Sequence, residues 1–363
     1  MLFRHARHNN GFEAFVLKLQ IGEIRMRLKS IFSITLLMLI CGTMCALFAK
    51  APTTPKILFT STRDGNREIY MMNPDGSEQV NLTQHHAEDL QAVWSPTGEE
   101  ILFVSDRDGV RDLYLMKPDG ANVRRVFKKF VYRYYPTWAP DGKQIAYMHK
   151  AHDLRASIIY VATLGKQKEE SFVNALYPAW APDRTEIACS VGGPGQDGRL
   201  ALINIRTGER EHLLPVKERG GQSFPSWSAA GDKLAFSWNN NPLPPLAAGE
   251  HVPDAWLDKL TIYIINRDGT GLRQIVDEAG PRAMAPTLSP NGEEVLYTQE
   301  INENLQIFKV DVDSGVRTQL TRIKRNFGAD WFDPAYTLPV SPQPALLTTT
   351  WGELKMENRD GRK

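Results

Sequence analysis

Histidine holds metals and moves protons near neutral pH, so the histidines of this chain come first. Six lie beyond residue 50, and five of them (His85, His86, His149, His152 and His251) fall in polar segments between apolar runs. Imidazoles gathered on one face could bind a divalent metal. Their spacing matches no known ligand motif, so His85, His86, His149 and His152 stand as metal candidates on position alone. The repeated Arg-Asp-Gly of Arg63–Gly65 and Arg107–Gly109 invites a calcium reading. A calcium loop needs several oxygen ligands at spaced positions, whereas Asp-Gly is a common hairpin turn. The turn reading is adopted. No G-x-S-x-G elbow, Gly-rich phosphate loop or H-E-x-x-H is present, which argues against serine-hydrolase, nucleotide and zincin chemistry. No cofactor is called for.

A second set of residues suits recognition. Tyr132, Arg133 and Tyr134 lie together in KKFVYRYYP, and Trp238 and Trp256 bracket the proline-rich NNNPLPPLAAGEHVP. Tyr, Trp and Arg are the side chains most often found at binding hot spots. These five are the expected partner contacts. Tyr135, beside Pro136, is expected to pack between repeats.

These residues sit on a repeat. Trp94, Trp138, Trp180, Trp227, Leu288 and Trp331 recur at steps of 44, 42, 47, 61 and 43 residues, the period of a β-propeller blade. Turns such as WSPTG, WAPDG and LSPNG lead into apolar runs (ILFV, IAYM, IACS, LAFS, VLYT) without alternation, as expected of strands covered on both faces. A further strand and a glycine turn follow in each unit. Arg184 and the SAAGDK segment depart from the turn pattern, which predicts looser turns there. Six anchors match six such strands but are offset by one. The first, EIYMM, has no anchor before it, and the last anchor, Trp331, has no such strand after it. The economical solution is an all-β, six-bladed β-propeller over residues 56–335, closed by the C-terminal strand joining the first blade. In that order the loops bearing the histidines and the aromatic run share a face with the connectors between blades.

LFTSTRDGNREIYMMNPDGSEQVNLT followed by VWSPTGEEILFVSDRDG resembles the repeat of TolB-like propellers. The resemblance implies the fold more firmly than an activity, because propellers host many functions. Only APTTPK separates the apolar N-terminal run from the first strand, so the α/β domain that precedes the TolB propeller is not expected here. A Tol–Pal role is not carried over.

Arg25, Arg27 and Lys29 precede an uncharged run, Ser30 to Ala49. Residues 26–49 read as a signal peptide or signal anchor, with Met26 a plausible start and residues 1–25 a dubious extension. Cys41 and Cys45 lie in that run, leaving Cys189 alone in the body, with no disulfide or thiolate metal site to form. Residues 336–363 form a tail in which LLTTTW has strand character. Lys plus Arg is 43 against 42 for Asp plus Glu, so no basic excess points to nucleic acid. The expected function is an exported, monomeric, non-enzymatic binding or scaffold module, periplasmic or extracellular, for a protein or polymer partner. A metal-dependent polysaccharide lyase or hydrolase using the histidine-bearing face is the alternative, and a purely structural envelope component is a third.

Overall fold

The computed structural model describes residues 50–337 apart from 151–156, 193–197, 216–219, 246–251 and 278–280. The N-terminal run, the tail beyond 337, His152 and His251 therefore lie outside the described residues. No helix among the described residues is long and apolar enough to cross a membrane.

Six antiparallel four-stranded sheets form a ring, the six-bladed propeller expected from the repeat. The inner strands of blades two to six are Asp89–Trp94, Arg133–Trp138, Leu176–Trp180, Gly221–Trp227 and Ala283–Leu288. Blade one takes its inner strand from the far end of the chain. Asn326–Phe332 pairs with Lys56–Ser61, setting Ile57 opposite Trp331 and Ser61 opposite Asn326. The closure inferred from the offset is therefore present.

The second strands are covered on both sides, which explains their unbroken apolar runs. Ile101–Ser105 is buried at every position. Neighbouring blades share the cover: Ile101, Phe103 and Tyr114 of blade two meet Leu58 and Ile69 of blade one. Each fully buried side chain of this size contributes roughly 1.5–3 kcal/mol.

The turns after the inner strands close with one repeated hydrogen bond, Gly98 N to Ser95 O at 2.9 Å in blade two. Gly98 has φ +70°, and a Cβ there would lie 2.2 Å from the Phe332 ring of blade one. Both facts require glycine. The departures do not loosen their turns. Arg184 adopts φ +69°, and its N–H still reaches Ala181 O at 3.0 Å. Gly231 closes the SAAGDK turn on Ser228 O, also at 3.0 Å.

The Arg-Asp-Gly segments are latches. Arg107 donates from Nε to Ser105 Oγ (2.9 Å) and from Nη2 to Asp89 at the start of the inner strand (3.0 Å), while Tyr114 donates to Asp108 (2.6 Å). Arg63, Ser61, Asp64 and Tyr70 repeat the arrangement in blade one, with Asn326 in the place of Asp89. Each aspartate is engaged by a tyrosine, in keeping with the turn reading.

Candidate functional site in the central channel

All six inner strands break their ladder at the same place. The register shifts between Leu90 and Val93, Tyr134 and Thr137, Leu176 and Ala179, Ser223 and Ser226, and Met284 and Thr287. In blade one the shift falls opposite Leu58 and Thr60. At each bulge one residue takes a left-handed conformation: Gln91, Tyr135, Tyr177, Phe224, Ala285 and Gly328, with φ between 47° and 63°. Such a conformation costs a non-glycine residue on the order of 1–3 kcal/mol. A bulge re-aims a side chain, and here it turns one residue per blade toward the axis.

Three of these are aromatic, come from adjacent blades and meet. Tyr177 and Phe224 have centroids 3.8 Å apart, and Tyr135 approaches Tyr177 edge-on at 4.9 Å. The Tyr135 N–H is held by the Gln91 side-chain oxygen of the preceding blade at 2.9 Å. Burial pushes the Tyr135 and Tyr177 hydroxyls above the usual phenol range. Tyr135 is thus a channel residue as well as a packing one.

Below this cluster lies a cavity of about 420 Å³, walled by the second halves of the inner strands and the turns that follow them. That volume is typical of a ligand site. The cavity opens on the tight-turn face, away from the connector loops. Its wall is rich in tryptophan and proline, and its ionisable groups are Asp330, Asp333, Tyr135, Tyr177 and Tyr336. Asp333 caps a short 3-10 turn by accepting from Ala335 N. Asp330 Oδ2 accepts the Trp94 N–H of the next blade at 2.7 Å. Burial pushes its carboxyl up to about 7, against the lowering effect of the Trp94 and Trp331 N–H groups.

Blades five and three do the same structural job without charge. Ser226 Oγ, the counterpart of Asp330, accepts from Leu288 N at 3.1 Å. Thr137 Oγ1 accepts from Trp180 N at 3.4 Å. The Asp330 charge is therefore surplus to blade joining, which gives a stability prediction. The folded carboxyl lies near 7 and an unfolded one near 3.9. The protonated folded form is favoured, so the stabilisation is complete below about pH 4 and is lost as pH rises through about 7. Asp330→Asn keeps the acceptor and does not titrate. Its stability is expected to gain on the wild type steadily across that window, by up to about 4 kcal/mol less the screening by channel water, read as a rising difference in melting temperature. A difference in melting temperature that does not change with pH would overturn this reading.

The recognition residues read from the sequence are not brought together. Arg133 is completely buried. It forms an ion pair with Asp112 (2.6 Å) and a two-pronged one with Glu169 (3.0 and 2.6 Å). It belongs to the interior rather than to a contact surface, because one carboxylate from blade two and one from the outer strand of its own blade draw its guanidinium inward. Burial works against the Glu169 carboxylate, yet Arg133 and the Tyr147 hydroxyl hold it below the usual range. Trp238 is also interior, in the cluster with Phe236 and Tyr263. Trp256 belongs to a one-turn helix, Asp254–Leu257, and lies on its own blade. Its Nε1 donates to Asn241 O and Pro242 O, and its ring sits where a Cβ on Gly221 would go. Tyr132 is half exposed and stacks on Tyr134 with centroids 6.5 Å apart. Exposed Phe130 lies beside them in sequence, under Arg125.

His85 and His86 stack on each other, and the Nδ1 of His85 accepts from Ala87 N at 3.1 Å. His149 meets Tyr160 edge-on, and its pKa is lowered by burial and by Arg133. No group of three or more potential metal ligands occurs among the described residues. The residues lining the channel are not singled out by the sequence reading, although the recurring QAVW, YPTW, YPAW, FPSW, APTL and GADW segments mark its wall.

A family model for the TolB beta propeller domain matches residues 42–229, more than half of the chain. The chain belongs to the TolB β-propeller family. Solved structures of similar fold include TolB from Acinetobacter baumannii (16% identity, TM-score 0.63, 76% of this chain and 66% of that one). An oligogalacturonate lyase in complex with manganese has 16% identity and TM-score 0.51, covering 76% of this chain and 77% of that one. The nidogen of a nidogen/laminin complex has 11% identity and TM-score 0.57, covering 76% and 98%. At these identities the likeness is one of fold. No curated protein matches the sequence significantly. Membership of the TolB family supports, in outline, a binding or scaffold module.

Proposed function

We propose that this protein is an exported, non-enzymatic binding module that takes a segment of a partner protein into its central channel from the tight-turn face. The observation carrying this reading is the cavity of about 420 Å³, lined by Tyr135, Tyr177 and Phe224 and built on the inner strands and the tight turns that follow them. Sites on rigid elements lose little entropy on binding. A propeller of similar fold occurs in a complex with laminin, which supports a protein partner. Export rests on the basic flank and uncharged run of residues 25–49. Tyr132 and Tyr134 are the connector-face contacts of a second partner surface.

Ala179→Trp tests the reading. Ala179 is partly exposed in the channel wall, so the larger ring is expected to fill the void. Partner recovery from the native envelope is expected to fall about tenfold, with the melting temperature little changed. Undiminished recovery, together with loss on Tyr132→Ala, would move the site to the connector face. The lyase or hydrolase alternative has the manganese-bound neighbour in its favour, at the level of fold. Manganese co-purifying with the protein and lost on His149→Ala would support it.

A further inference from the structure

We propose that the partner segment entering the channel carries a lysine or arginine, whose cationic head pairs with Asp330. The inference rests on the channel reading above and names the chemistry of its ligand.

Asp330 occupies a position that recurs once per blade, filled elsewhere by Val93, Thr137, Ala179, Ser226 and Thr287. A hydroxyl suffices there for joining blades, as Ser226 shows. A carboxylate in an apolar wall is costly unless paired, and among the described residues no lysine, arginine or histidine lines the cavity to pair with it. Lys56, on the neighbouring strand of blade one, is engaged by Asn73 at 2.5 Å and Glu78 at 3.6 Å. The facing strands of blades two and six bring no charged side chain to the cavity. The ionisable groups sharing it, Asp333 and the phenols Tyr135, Tyr177 and Tyr336, include no cation. A positive charge is thus a complement that the described wall lacks.

The surroundings suit a basic side chain in particular. Trp94, Trp331 and Tyr336 line the same cavity. Aromatic faces cover the alkyl stem of lysine or arginine and attract its charge. The lone carboxylate then fixes how deep the head goes. Burial holds the carboxyl partly protonated near neutral pH, so binding should tighten as the pH rises through that range and weaken below it.

The test is a selection of short random peptides on the full-length protein at about pH 8. Winners enriched in lysine or arginine are expected. For one such peptide, Asp330→Asn in the protein and Lys→Gln (or Arg→Gln) in the peptide should each weaken binding about tenfold. The two changes together should cost no more than either alone. Affinity for the wild type should drop at about pH 5.5, and affinity for Asp330→Asn should not. Winners without basic residues, or equal binding to Asp330→Asn, would overturn the proposal. If Ala179→Trp abolishes binding and Asp330→Asn does not, only this inference fails. If Ala179→Trp leaves binding intact, the channel reading fails with it. N-acetyl-lysine amide competing as well as the peptide would mean a free amine ligand, against a partner segment.

Discussion

Truncation before Asn326 is expected to abolish cooperative unfolding. The lost strand supplies the inner edge of blade one, and its Phe332 packs against Trp94 at 5.2 Å. Without it, Ile57, Leu58 and Phe59, all fully buried, face an open channel. At roughly 1.5–3 kcal/mol for each large apolar side chain uncovered, the loss rivals the whole stability of about 5–15 kcal/mol of a typical domain. The exposed edge also invites intermolecular pairing. Size-exclusion chromatography and calorimetry should show aggregates with no sharp transition. A monomer with the wild-type melting profile would refute the closure.

Arg133→Ala should be the most damaging single substitution among the residues discussed. It strands Asp112, fully buried, and Glu169 without their shared cation. Breaking a buried ion pair from one side costs about 3–5 kcal/mol, which lowers the melting temperature by roughly 10 °C. Arg133→Lys should recover only part of this, because an ammonium cannot grip Glu169 with two prongs. A drop of less than about 2 °C for Arg133→Ala, no more than an exposed pair is worth, would show that the network contributes little.

The blades were readable because each signal in them is local. The tryptophan anchors, the proline and glycine of the turns and the unbroken apolar runs all lie within one repeat. The closing strand followed from counting alone. The channel was not readable for the opposite reason. A bulge inserts one residue into a strand, and neither a period of two nor a continuous apolar run shows which residue it is. Tyr135, Tyr177 and Phe224 stand one repeat apart in sequence, so their contact exists only once adjacent blades have packed. Arg133 misled because its partner Glu169 is 36 positions away, and an arginine between tyrosines looks like a surface contact until the carboxylates are seen. That Trp256 rests over Gly221 of its own blade was not readable, because the two are 35 positions apart and only the fold brings them together.

The pairing of the two ends also sets an order of events. Arg63 and Asn326, joined in blade one, are 263 positions apart. During synthesis the hairpin of Lys56–Ser61 and Glu68–Met72 is among the first structures available, yet its inner edge stays unpaired until nearly all the remaining chain has been made. Contacts so distant in sequence slow folding, and a waiting strand edge is prone to wrong partners. Closure of the ring is therefore expected to come late. A chain stalled before residue 326 would be expected to depend on a chaperone that shields the edge of Lys56–Ser61.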